Sequence, residues 1–220
     1  NVGGNPSLMS KFMNQAGLKS EIWVIQKNQY EYIADKFITS LKDYFLKREV
    51  KKILALSYIF KTDIVFYNFG ACLFPPYFTL DYERYPLWKR PLVYLYTLYI
   101  RFMSIVELGL IRLLRVKIFM QYQGDDARQG DFIRSNFEIN IADEVDKYYY
   151  SKKTDQMKKR QINLFGKIAR KIYSLNPDLM HVLPQSAEFL PYMIEDLEKI
   201  EPSFINLNSE KLIIGHAPSN

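Results

Sequence analysis

Cysteine occurs once in the 220 residues, at Cys72, and histidine twice, at His181 and His216. One thiol cannot form a disulfide within the chain, a usage that fits a reducing, cytoplasmic compartment. Two distant histidines and one cysteine give no spacing that would hold a transition metal, so no metal site is expected. No charged leader followed by an apolar stretch and a small-residue cleavage site is present near Asn1, which excludes the pattern of a signal peptide. Long uncharged runs are also scarce. The run 64–80 falls just short of a membrane span and is interrupted by Asn68, Gly70, Pro75 and Pro76. No internal repeat and no low-complexity tract occurs.

What remains is a composition with enough apolar material for one sizeable core. Apolar residues make up 48% of the chain and charged residues 25%, so the chain is not compositionally disordered. The net charge is +6 and the pI about 9.1. That balance favours phosphates, nucleic acid or anionic membranes without choosing among them. The basic residues are spread along the chain and no recognition helix or aromatic RNA-binding motif appears, so a nucleic-acid partner is not expected.

Periodicity orders the elements. Asn5 and Pro6 read as the cap and first residue of a helix carrying Leu8, Met9, Phe12, Met13 and Ala16, stopped by Gly17. A strand is predicted at 22–25. Phe37, Ile38, Leu41, Tyr44 and Phe45 predict an amphipathic helix running towards Leu56. Strands are predicted at 63–67, 117–122, 180–183 and 212–215. The stretch 74–91 reads as irregular and 92–114 as a very apolar helix. A further helix starts at Thr154, with Met157, Leu164, Phe165, Ile168 and Ile172 on one face.

Strands alternating with helices predict an α/β fold, a Rossmann-like parallel sheet with helices on both faces. Ligands bind such sheets at the carboxyl ends of the strands. The loops expected to matter are therefore 68–71, 123–129 and 184–188. A Gly-Gly turn entering a first helix normally follows a strand, which predicts that a strand precedes Gly3 and Gly4.

Several segments occur in a fixed order: Asn1 to Pro6, Tyr67 to Gly70, Tyr122 to Arg128, Asn176 to Leu179, His181 to Pro184, and His216 to Ser219. Together they resemble the N-terminal domain of GT-B glycosyltransferases related to family 4, over nearly the whole chain. The resemblance implies an acceptor-side domain spanning 1–220, with a nucleotide-sugar domain beyond Asn220. It implies a retaining, metal-independent transfer from a nucleotide sugar to a saccharide or lipid-linked acceptor, plausibly in bacterial cell-surface polysaccharide assembly. It also implies that the 220 residues bind no cofactor of their own, need the C-terminal domain as a partner, and transfer no sugar alone.

Candidate site residues follow from the strand-end loops. Gly3, Gly4 and Asn5 open a helix N-terminus that can approach an anion or the acceptor. Gln123, Gly124, Asp125, Asp126 and Arg128 gather an amide, two carboxylates and a guanidinium after a buried strand, groups that bind sugar hydroxyls or a phosphate. In the family that the sequence resembles, many enzymes place an active-site histidine near this strand end, where this sequence has Gln123 and Gly124. Gln is no base at neutral pH, so Asp125 or Asp126 is the candidate for proton transfer, with nothing to choose between them. Asn68, Glu188 and Gln185 are further ligand contacts. His181 reads as a core histidine, and His216 as a residue close to the cleft.

The 74–115 region adds a membrane expectation. Arg101, Arg112 and Arg115 project within about 60° of each other on a helix. Beside them lie Tyr82, Tyr85 and Trp88, so an anionic membrane surface, at the inner face of the cell membrane, is a candidate partner. The rival to the transferase reading is a non-catalytic Rossmann-like module holding a phosphorylated ligand.

Overall fold

The computed structural model describes residues 5–27, 33–70, 72–80, 82–146 and 148–193. Within them the chain is α/β and Rossmann-like, with parallel strands flanked by helices. The order is α1 (Asn5–Gln15), β1 (Trp23–Gln26), β2 (Lys36–Thr39), α2 (Phe45–Ala55), β3 (Ile64–Asn68), α3 (Arg90–Leu113), β4 (Lys117–Tyr122), α4 (Gly130–Asn136), α5 (Lys152–Ile168), β5 (Lys171–Ser174) and β6 (Glu188–Phe189). β3, β4, β5 and β6 form a parallel sheet in that order, and β1 and β2 pair in parallel beside α2.

The central sheet has two unlike faces, set by the alternation of strand side chains. Tyr67, Ile118, Met120, Tyr122 and Ile172 point to one face and are buried there with Ile100 and Met103 of α3 and Ile162 and Phe165 of α5. The other face carries Phe66 and Phe119, register partners whose rings stack at 6.1 Å, together with Tyr173. α1 reaches that second face through Asn5, which donates to Gln121 of β4.

Local chemistry explains the boundaries. Gly17 takes φ +83° and ends the turn after α1. α3 has Pro91 in its first turn. It ends without a glycine: Arg115 adopts φ +57°, while the Val116 N–H bonds the Ile111 carbonyl at 3.0 Å. α5 opens on Ser151, whose hydroxyl accepts from the Thr154 N–H.

Several expected elements come out differently. Phe37 and Ile38 lie on β2, not on a helix. The Asp35 carboxylate binds the Ile22 N–H at 2.7 Å and the Thr39 hydroxyl binds the Ile25 carbonyl at 2.7 Å, so pairing with β1 overrides the local periodicity. The expected strand 180–183 is instead the end of a 3₁₀ turn, Pro177–His181, and the true strand is β5. Ile172, read as helical, sits on β5, and Ile168 is half exposed at the end of α5. His181 is not a core residue. It is exposed, its ring stacked at 6.1 Å on Phe132. Arg115 lies past the end of α3, so the arginine stripe on that helix reduces to Arg101 and Arg112. The strand expected at 212–215, together with Gly3, Gly4 and His216, lies outside the described residues.

Candidate functional site

At the carboxyl ends of β3, β4 and β5, three loops come together. The first is the turn at Phe69 and Gly70, with φ of +59° and +56°. A Cβ on Gly70 would meet Tyr122 Cε1 at 3.1 Å and Asp126 Cβ at 3.2 Å, so glycine allows this turn to lie against the next loop. Glu107 of α3 anchors the segment that follows. Buried at 2% exposure, its carboxyl accepts from the Tyr67 hydroxyl at 2.6 Å and from the N–H groups of Leu73 at 3.1 Å and Phe74 at 2.8 Å. Burial raises the Glu107 carboxyl above its ordinary value against the pull of those donors. Burial likewise pushes the neighbouring Cys72 thiol well up, so that sulfur is inert.

The second loop follows β4 and holds most of the residues expected from sequence. Asp126 folds back on its own turn, accepting from the N–H of Gly124 at 2.7 Å and of Gln123 at 3.1 Å. Burial pushes its carboxyl up to about 6 despite those donors. Asp125 points the other way, towards the hydroxyls of Tyr149 and Tyr150, and lies 3.3 Å from Arg128. Burial acts to raise Asp125 but is outweighed by the two phenols and by the positive charges of Arg128 and Lys158, which hold it below the usual carboxylate value. Its hydrogen bond and partial burial push the Tyr149 phenol up to about 12, so it remains a donor.

Arg128 is shared between Asp125 and Asp178, the latter at 2.8 Å. Lys158, buried on α5, donates to the Arg128 carbonyl at 2.7 Å and sits over the Tyr150 ring. The third loop closes the group: the Asn176 amide donates to the Gln123 carbonyl. Asp125, Asp178, Arg128 and Lys158 thus form a compact group in which charges of opposite sign cancel.

Beside this charged group lies a neutral one. Asn5, Gln121 and Gln123 are buried at 1%, 0% and 4% exposure. The Asn5 and Gln123 amide groups both converge on Gln121 Oε1, at 3.4 and 3.5 Å, and Asn5 Oδ1 accepts from the Met193 N–H at 2.9 Å. Asn68 is the register partner of Gln121 on β3 and shares its face. In this cluster one donor, Gln121 Nε2, and two acceptors, Gln123 Oε1 and Asn68 Oδ1, have no hydrogen-bond partner. A buried amide group without a partner loses hydration without compensation, about 1–3 kcal/mol each, so these three groups are able to take a further hydrogen bond.

The expected residues therefore fall into three sets. Asn5, Asn68 and Gln123 are brought together, and so are Asp125, Asp126, Gly124 and Arg128 in the adjoining loop. Glu188 is not part of either set. It lies on edge strand β6, half exposed and ion-paired with Lys171, because the residues before it form a turn and not a strand. Gln185 is exposed in the loop leading to β6. Sequence reasoning missed Gln121, Tyr149, Tyr150 and Asp178. Gln121 had a signal: two glutamines two residues apart put amides on one face of an otherwise apolar strand. The tyrosines, more than 20 residues from Asp125, had none.

The larger cavity at this end of the molecule, about 200 Å³, is lined by Thr79, Arg84, Tyr85, Tyr148, Lys153 and Thr154 and includes none of the residues above. A second hollow of about 20 Å³, room for roughly one water, touches Arg128 and Asp178. The unmet hydrogen bonds, not the cavity volume, make the amide cluster the candidate site, although Tyr99, Ser104, Tyr122 and Asn140 also carry unpartnered polar atoms. Among the described residues no group of three or more acidic, histidine or cysteine side chains is arranged to hold a metal ion. Comparison with protein-family models, with curated proteins and with solved structures returned no match to this chain.

Proposed function

We propose that the chain binds a neutral, multiply hydroxylated ligand at the carboxyl ends of β3 and β4, as the acceptor-side half of a nucleotide-sugar-dependent glycosyltransferase acting on a saccharide or lipid-linked acceptor. The observation that carries the reading is the buried amide cluster. A hydroxyl both donates and accepts, and the cluster leaves free one donor on Gln121 and acceptors on Gln123 and Asn68. Its place at the strand ends of a parallel sheet fits the position where such folds bind ligands. The ordered motifs of the sequence add the donor: a nucleotide sugar, held by a further domain, with transfer depending on positioning and on stabilisation of the departing diphosphate.

The rival reading, a module for a phosphorylated ligand, finds less support in the same loops. A phosphate calls for an uncommitted cation, and Arg128 is held by two carboxylates while Lys158 is held by a carbonyl. Two measurements test the proposal. Saturation-transfer NMR on the 220 residues is expected to show contact with neutral oligosaccharides, lost in Gln123→Ala, and phosphorus-31 line widths are expected to show no binding of inorganic phosphate. The full-length gene product is expected to release nucleoside diphosphate from a nucleotide sugar when an acceptor is added. Phosphate binding without saccharide contact overturns the reading.

A further inference from the structure

α3 is apolar on two opposite sides. Its inner stripe, Val93, Thr97, Ile100, Met103, Glu107 and Ile111, is buried against the sheet. Its outer stripe, Leu95, Leu98, Phe102 and Ile105, repeats at the same three-and-four spacing and is 59%, 42%, 63% and 71% exposed. A helix that is apolar all round is normally covered on every side. Half of this one is open.

With the preceding turn, the stretch Leu87–Leu113 contains an 18-residue window of mean hydropathy 1.3 and is long enough to cross a bilayer. Its inner face argues against crossing. Glu107 holds the segment after β3, and Ile100 and Ile111 are in the core, so extracting the helix would expose a buried carboxyl and dismantle the sheet's cover. Lying flat, the 24 residues measure about 36 Å.

Charge decides what covers the outer face. Residues 42–117 contain thirteen Lys and Arg against six Asp and Glu, a net of +7, against +6 for the whole chain. Arg112 borders the outer stripe on one side, where Arg101 donates to the Phe78 carbonyl at 2.8 Å, and Lys89 and Trp88 precede the stripe, with Trp88 70% exposed. Two copies meeting through this face would bring like charges together, whereas an anionic bilayer supplies both the apolar interior and the counter-charge. We propose that the outer face of α3 lies in the interface of an anionic phospholipid membrane, with Leu95, Leu98, Phe102 and Ile105 entering the acyl boundary and Arg112 on headgroups. The proposal stands apart from any sugar chemistry.

Vesicle co-sedimentation of the 220-residue chain tests it, using phosphatidylcholine vesicles with and without phosphatidylglycerol at low salt. The chain is expected to pellet with the anionic vesicles and to be released by salt. The double variant Leu98→Asp, Phe102→Asp is expected to bind at least about tenfold more weakly. Ile139→Asp, at a position 95% exposed elsewhere, is expected to bind like the parent. Both substituted positions are on the surface, so circular dichroism should match the parent. Absence of binding to anionic vesicles, or equal binding by the double variant, overturns the proposal. So does a dimer in light scattering that the double variant abolishes, which would assign the face to a second copy.

Discussion

Asp126 sets two effects against each other in one side chain, and a pH series separates them. Its carboxylate accepts from the N–H groups of Gly124 and Gln123, which favour the charged form. Its burial favours the neutral form and wins, with the carboxyl pushed from 3.8 up to about 6. A shift of that size corresponds to about 3 kcal/mol of differential protonation free energy. Because the folded-state value is raised, the stabilisation is fully present below the unfolded value and is lost as pH rises through 6. Between those limits the unfolded chain has released the proton that the folded chain retains, so stability falls with rising pH.

The perturbation is Asp126→Asn, which removes the titration while leaving an acceptor for the Gly124 N–H. Loss of the second acceptor costs about 1 kcal/mol at every pH. Urea unfolding of parent and variant in parallel cancels the contributions of other carboxyls, including the lowered Asp125. From about pH 4 to pH 7 the stability gap is expected to move by about 2.4 kcal/mol in favour of the variant. A flat gap would mean that the two effects balance. A gap moving towards the parent would mean that the backbone donors outweigh desolvation, and either result refutes the reasoning.

Two further outcomes follow from the same loops. Gly130→Ala places a Cβ against Tyr150 Cβ and Cγ, too close for any real contact, so Tyr150 must move. The variant should lose about 1–3 kcal/mol in urea unfolding, and the Asp125 carboxyl, deprived of one phenol, should titrate higher by carbon NMR. Glu107→Ala strips the acceptor from Tyr67, Leu73 and Phe74 at once. It should cost at least about 3 kcal/mol and speed amide hydrogen exchange at Leu73 and Phe74, where a merely local cavity would leave those amides protected.

The parts of the fold legible in the sequence were those whose local pattern and tertiary environment agree. β4 is found at 117–122 as expected from its short apolar run, which is buried from Ile118 to Tyr122 except for the partly covered Phe119. β5 was hidden because Ile172 continues the three-and-four spacing of Phe165 and Ile168 across the end of α5, and periodicity cannot see the parallel pairing with β4 that makes it a strand. The turn 177–181 was hidden for the opposite reason. Met180, Val182 and Leu183 are apolar because they pack beneath the sheet, and an apolar run of that length does not distinguish a strand from a turn.

The site shows a deeper limit. In the sequence, the loop 123–128 reads as charged and reactive, because Asp125, Asp126 and Arg128 stand close together with no visible partners. In space each is committed: Asp125 to two tyrosines and Arg128, Asp126 to its own turn, Arg128 to Asp178 as well. None of these partners except Arg128 and the turn lies within the loop. The amides of Gln121, Gln123 and Asn68 are among the side chains left with unmet hydrogen bonds; Gln123 and Asn68 were candidates from the sequence, and Gln121 looked like an ordinary strand residue. What the fold leaves unsatisfied at this strand end includes a buried, neutral set of amide donors and acceptors. Gln123 belongs to that set although it carries no titratable group. A residue needed to recognise hydroxyls has to offer geometry and hydrogen bonds, and an amide supplies both without titrating.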